Sequence, residues 1–339
     1  MNEENRNYKL QLISKYRTIL MGISILMITF CHLDIARRYN GLPGIKLGSL
    51  LHLFTVGVDI FMFLSGFGLW YSLSNNNDAK TFLKKRIIKL LPKYIVIAGI
   101  TYFLYDLIIA KHGFLKFVQD YTFLSWVLYG STRYWFVAGI LIFYIFFPLI
   151  FKVISNDAVK DRYKMFVFLI VFLAIVFFFD THFERYRDFR IAIERLPVFI
   201  LGALCAKYSD KTISRLHLGI MTAIGLIFTA VQMLSDPFQS WVSHTPYMYY
   251  LSRGLFAVSL MIVFILILEK LSGDTLSILQ GGFTLLGTAT YEIYLFHQSY
   301  MILLNFPPYL PGYILAAVIM PVFSGIILKS ITKISKLEM

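Results

Sequence analysis

Six residues of this sequence carry ionisable side chains within apolar surroundings: His32, Asp59, Glu194, Arg195, Glu292 and His297. Such a group is costly in a hydrophobic segment unless it faces a wet cavity or finds a partner, so each marks a site of chemistry or of pairing. For any one taken alone, pairing or contact with interfacial water is the simpler account. The two histidines stand out because imidazole titrates near neutrality and suits general-base work. Glu292 stands five positions before His297, which is not a same-face spacing on a helix, so no direct pair between them is expected. A second group is the run Lys84-Lys85-Arg86-Ile87-Ile88-Lys89-Leu90-Leu91-Pro92-Lys93. On a helix, Lys85, Arg86 and Lys89 share one side while Ile87, Ile88 and Leu91 take the other. An amphipathic cationic element of this kind lies at a membrane face, attracted to anionic headgroups. The same donors could clamp the phosphates of an anionic cofactor. Charge alone favours the headgroups.

The elements that must position these residues are read from hydropathy. Of the 339 residues, 58% are hydrophobic and only 15% are charged, and the mean hydropathy is +0.69. A soluble domain with that composition would expose aggregating patches; lipid removes the problem. Aromatic residues make up 17% and gather near the ends of the apolar runs, as interfacial belts do. Runs of spanning length fall near 18–35, 51–73, 94–110, 134–153, 165–180, 191–207, 218–234, 255–271, 283–304 and 312–331. The expected fold is therefore all-α: a polytopic transmembrane helical bundle of about ten spans, with residues 1–339 forming one membrane domain. Segment 114–129 is amphipathic and fits either a surface or a re-entrant position. The first run lacks a small-residue cleavage site and is followed by Asp34 and Arg37-Arg38, so it is expected to remain as an anchor.

Charge sets the orientation. With the N-terminus inside, 21 of the 32 Lys and Arg fall in inner segments and 11 in outer ones, which puts both termini on the cytoplasmic side. The net charge of +13 is spread over short loops, which weakens a nucleic-acid reading. Cys31 and Cys205 fall near opposite faces in this topology, so no disulfide is expected, and no Cys/His cluster resembles a metal site. The first and ninth runs both travel outward, so His32 and His297 reach a similar depth, and Asp59 on the second run begins near that level. That coincidence favours function for the histidine pair.

The fragments then form a series. Met21 to His32, the stretch Gly57-Val58-Asp59-Ile60-Phe61-Met62-Phe63-Leu64-Ser65-Gly66-Phe67, Arg86-Ile87-Ile88-Lys89 with Pro92, and Tyr134-Trp135-Phe136-Val137 leading to Phe147-Pro148-Leu149 come first. Leu196-Pro197 with Phe199 to Gly202, and Tyr291-Glu292-Ile293-Tyr294-Leu295-Phe296-His297, complete it. In this order they resemble the motifs of the acyltransferase-3 membrane proteins, which include many bacterial polysaccharide O-acetyltransferases. The resemblance runs through most of the chain.

It implies transfer of an acyl group, usually acetyl, from cytosolic acyl-CoA to a hydroxyl on an extracytoplasmic or lipid-linked glycan, in the bacterial plasma (inner) membrane. His32 matches the motif histidine, and Arg86 and Lys89 the basic positions for the donor, with Lys85 beside them; the phosphate clamp thereby overtakes the headgroup reading. Asp59 or His297 would orient His32 or stabilise its imidazolium, and Trp135, Tyr291 and Tyr294 would wall the cavity. Direct transfer and an acyl-histidine intermediate both stay open. The chain departs from the family pattern in three places. Met21 occupies the motif's arginine position, with Arg17 one turn earlier; Lys89 replaces a second arginine; and Glu292 stands where a small hydroxyl residue is frequent. Acetyl-CoA, the glycan acceptor and membrane lipids are the expected partners, with no metal and no nucleic acid, and a homo-oligomer is open. Ten spans with buried charges also suit a transporter of a small acid or glycan precursor, although no internal repeat is visible. An inactive relative serving as a partner in glycan assembly is the third reading.

Overall fold

Because the bilayer core holds no water, a spanning segment must satisfy its backbone internally, and helices do so. A computed structural model describes residues 7–39, 51, 53–75, 78–130, 132–155, 163, 167, 171, 191–234, 246–270, 273–304 and 310–334. Its helices are α1 (Gln11–Tyr39), α2 (Val56–Ser74), α3 (Ala79–Tyr102), α4 (Phe114–Tyr121), α5 (Leu124–Tyr129), α6 (Trp135–Ser155), α7 (Leu196–Lys207), α8 (Arg215–Leu234), α9 (Pro246–Lys270), α10 (Gly273–Thr288), α11 (Thr290–Leu303), α12 (Leu310–Ile314) and α13 (Met320–Ile334). π-helical segments Phe103–Ile109 and Leu315–Ile319 continue α3 and join α12 to α13. Two three-residue strands, β1 (Asn7–Lys9) and β2 (Thr212–Ser214), pair antiparallel. Among the described residues, five helical segments are long and apolar enough to cross a membrane: Gln11–His32, Val56–Ser74, Ala79–Ile109, Trp135–Ser155 and Leu315–Thr332. The chain is a polytopic helical membrane bundle, as its hydropathy leads one to expect.

Several boundaries differ from the apolar runs, each for a physical reason. The basic run is not a separate element lying along the membrane face; it forms the opening turns of α3, continuous with the apolar run that follows. Ala79–Ile109 has 31 residues, about 46 Å at helical rise, against a hydrocarbon core about 30 Å thick. The surplus is a charged stalk whose Phe82 and Leu90 pack into the bundle. Pro92 sits inside α3 without ending it. α1 likewise begins at Gln11 and takes Arg17 into the helix. The ninth run is divided at Ala289 between α10 and α11. Segment 114–129 resolves into α4, with no buried residue, and α5, with Ser125 and Trp126 buried, joined through Phe123 at φ 62°. The run at 165–180 lies, apart from two positions, outside the described residues.

α1 packs against α2, α9, α10 and α11. α2 and α7 cross so closely that a Cβ on Gly66 would strike the Phe199 carbonyl oxygen, and one on Gly202 the Phe63 carbonyl oxygen. Small residues at a crossing let backbones approach and gain dispersion contact where lipid offers no hydrophobic driving force. Phe63, Phe67, Phe143, Phe147 and Phe199 fill the interior around that crossing.

The contacts also sort the loops by side. β1 at the N-terminus pairs with β2 after α7. Lys207 donates to the Ile154 carbonyl at 2.8 Å, and Lys15 pairs with Glu269 at 2.7 Å. All of these positions belong to inner segments in the charge-based topology, so the alternation of sides is internally consistent.

Candidate active site

Three faces of the bundle supply cations to one cavity. Arg86, Lys89 and Lys93 recur along α3 at three- and four-residue spacing and so line one stripe. With Arg17 of α1 and Lys329 of α13 they border a cavity of about 320 Å³ at the inner end of the bundle. Lys89 lies close enough to Arg86, Lys329, Arg17 and Lys93 to feel the repulsion of each. Arg17 is anchored by donating from Nε to the Leu64 carbonyl at 3.1 Å. Gly68 opposite makes the space, since a Cβ there would sit 2.5 Å from the Arg17 guanidinium. The Arg86 guanidinium stands 5.6 Å from the Phe82 ring centre, and its Nε is buried with no hydrogen-bond partner among the described residues. Lys85, on the neighbouring stripe, is exposed and borders neither this cavity nor the next.

Farther along the same helices lies a smaller chamber of about 30 Å³, bordered by His32, Ile28, Val58, Trp135, Tyr294 and Gln298. Phe61, Phe136, Thr290 and Tyr291 line both spaces, so the chambers share a neck. Phe61 and Phe136 meet edge to face there at 5.3 Å. From Arg17 to His32 is fifteen positions of α1, about 22 Å along the axis.

The His32 and His297 rings meet at 4.9 Å between centres, inclined by 62°. His32 Nδ1 donates to the Ile28 carbonyl at 2.7 Å, and His297 Nδ1 donates to the Ala317 carbonyl at 2.6 Å. A carbonyl can only accept, so each neutral ring keeps its lone pair on Nε2. His297 is fully buried, and its Nε2 has no hydrogen-bond partner among the described residues. His32 borders the chamber, and His297 stands behind it.

The remaining polar residues have other partners. Asp59 pairs with Arg195 at 3.3 Å, both buried. The Arg195 guanidinium stands 5.4 Å from the Trp135 ring, a wall of the small chamber. Glu292 pairs with Lys93 and lies 3.9 Å from Lys329; it does not meet His297, as its spacing implied. Cys31 and Cys205 are free thiols. Thus the structure unites His32 with His297, and Arg86 with Lys89, while Asp59 faces Arg195. Lys93, Lys329 and the Phe61–Phe136 neck were not singled out by sequence. Lys93 could have been, since it continues the Arg86–Lys89 stripe.

A cationic inner cavity joined by a neck to a pair of imidazoles fits a donor with an anionic head and a reactive tail. Comparison of the sequence with protein-family profiles matches residues 18–329 to an acyltransferase domain, that of the acyltransferase 3 family. The chain belongs to the acyltransferase 3 family. No curated protein and no solved structure matches it. As a member of the acyltransferase 3 family it is a multi-pass membrane acyltransferase, and both chambers lie within the matched region.

Proposed function

We propose that the protein is an O-acyltransferase of the bacterial inner membrane. It moves an acetyl or other short acyl group from cytosolic acyl-CoA to a hydroxyl of an extracytoplasmic or lipid-linked glycan. The observation that carries this reading is the neck shared by the cationic cavity and the histidine chamber.

The donor's phosphates sit against Arg17, Arg86 and Lys89, whose guanidinium and ammonium groups supply charge-assisted hydrogen bonds. The uncharged pantetheine arm passes through the neck, alongside the Phe61–Phe136 pair, and the thioester reaches His32. The acceptor hydroxyl arrives from the other side. His32 takes its proton on Nε2 as the oxygen attacks the thioester carbon; the carbon–sulfur bond then breaks and the proton goes to the departing thiolate. His297 is a positioning residue: its ring packs edge to face against His32 and holds it beside the chamber. Asp59 supports the chamber at one remove, holding Arg195 against Trp135.

Transfer of labelled acetyl from acetyl-CoA in membranes, followed for the parent chain and for His32→Ala, tests the reading. Loss of a general base typically costs on the order of 10²–10⁴-fold in rate, and that loss is expected. Undiminished transfer by a well-expressed variant overturns the assignment of His32. Surface glycans that keep their full O-acetyl signal in cells lacking the protein overturn the glycan acceptor.

A further inference from the structure

Among the described residues bordering the cationic cavity, Glu292 is the one acid. It is almost completely buried, at 2% exposure, and its carboxylate pairs with Lys93. Lys329 lies on the same oxygen at 3.9 Å. No carboxylate pairs with Arg17, Arg86 or Lys89 among the described residues, so Lys93 and Lys329 share one carboxylate while the other three cations form an open trio. The order along α3 gives that division a direction. Lys93 is seven positions past Arg86, about 10 Å farther along the axis. Next to Glu292 in sequence is Tyr291, a wall of the neck, whose hydroxyl donates to the Leu90 carbonyl at 3.0 Å. Of the three cations along α3, the one farthest from the helix start is thus the one that carries its own anion.

We propose that Glu292 fixes how far phosphate groups travel into the cavity, and is a specificity residue for the donor. Left unpaired, Lys93 would draw a phosphate inward to the neck, where a doubly charged group is too polar to pass and blocks the arm behind it. Paired with Glu292, Lys93 offers no net charge, and the carboxylate repels any anion that comes near. Phosphates stop at Arg17, Arg86 and Lys89, and only an uncharged arm goes on. The proposal rests on the acyl-CoA reading, and it concerns a residue at which this chain departs from the usual family motif.

The experiment is equilibrium binding of adenosine 3′,5′-bisphosphate, which carries donor-type phosphates without the arm, and of CoA. The full chain is reconstituted in lipid nanodiscs as parent, Glu292→Gln, Lys93→Met and the double variant. Glu292→Gln is expected to bind the bisphosphate about tenfold tighter, the order expected when one buried charge of like sign is removed near a bound anion. Its acetyl transfer falls at the same time. Lys93→Met, which removes one cation and leaves Glu292 facing Lys329 alone at 3.9 Å, is expected to bind about tenfold more weakly. The double variant returns close to the parent. Structural damage would weaken binding in every variant, so opposite signs and their cancellation are the decisive pattern. Should Glu292→Gln not fold, recovery of binding on adding it to Lys93→Met decides the matter. Binding that is unchanged or weaker in Glu292→Gln, or a double variant no better than Lys93→Met, overturns the proposal alone. A parent chain that binds neither ligand overturns the donor reading and this proposal with it.

Discussion

At the scale of single residues, the site combines fixed imidazoles with crowded cations. Both histidines give Nδ1 to a helix carbonyl, which leaves the basic nitrogen of His32 for the chamber it borders. Met21 and Arg17 both line the inner cavity. An arginine one turn nearer the cytosol therefore serves the space that Met21 leaves without charge. Arg17→Met is expected to raise the KM for acyl-CoA about tenfold or more, the worth of a hydrogen bond to a charged group, with a smaller effect on kcat; steady-state kinetics with varied donor checks it. The depth match of His32 and His297 could be read from sequence because two outward-going helices place equal fractions of their length at equal depth. The Asp59–Arg195 pair could not, because the 135 intervening positions carry no periodic signal linking them. Phe61 was equally hidden. Nothing in its sequence context separates a neck residue from the other aromatics among 32 phenylalanines.

At the scale of elements, α3 carries the most consequence, joining a charged stalk to an apolar span in one helix. Hydropathy located the apolar half well. It cut off the basic half because windows that weigh apolarity end where charges begin, although the backbone hydrogen bonding continues. The stalk's first turn is closed by Asp78, which accepts hydrogen bonds from the Lys80 and Thr81 amides at 3.1 and 3.0 Å. Bonds from Thr81 and, after it, Lys80 hold its carboxyl below the ordinary value of 3.8. A carboxyl whose folded pKa is depressed contributes stability above its unfolded pKa, and loses it as pH falls through the folded one. Asp78→Ala is therefore expected to lower the melting temperature at neutral pH, with the gap to the parent closing below about pH 4; thermal melts of the reconstituted protein across that range measure it. The split at Ala289 was hidden for a related reason. The run stays apolar through the break, and a one-residue interruption of helical backbone leaves no mark on hydropathy.

For the whole molecule, sidedness is the property that function needs, and packing and charge agree on it. The strand pairing of Asn7–Lys9 with Thr212–Ser214 ties the N-terminus to the loop after α7. The Lys15–Glu269 pair ties α1 to the end of α9. Single cysteines at Lys9, Lys211 and Lys270, in a background with Cys31 and Cys205 replaced, are expected to share one accessibility. An impermeant thiol reagent should leave all three unlabelled in intact cells and label them in inverted vesicles. Labelling of any one from outside would break the topology. That the chain crosses the bilayer several times as helices was legible because the bilayer imposes one length and one charge rule on every segment. The joining of two chambers was not legible, because it depends on how seven helices lean together.

That junction carries a consequence beyond catalysis. A protein that lets a cytosolic cofactor and an outside alcohol touch the same atom risks becoming a hole through an energised barrier. Phe61 and Phe136, edge against face, put two apolar rings on the neck that the two chambers share. On the proposed acyl-CoA reading, an arm that threads the neck would also plug it, leaving protons no continuous file of water during turnover.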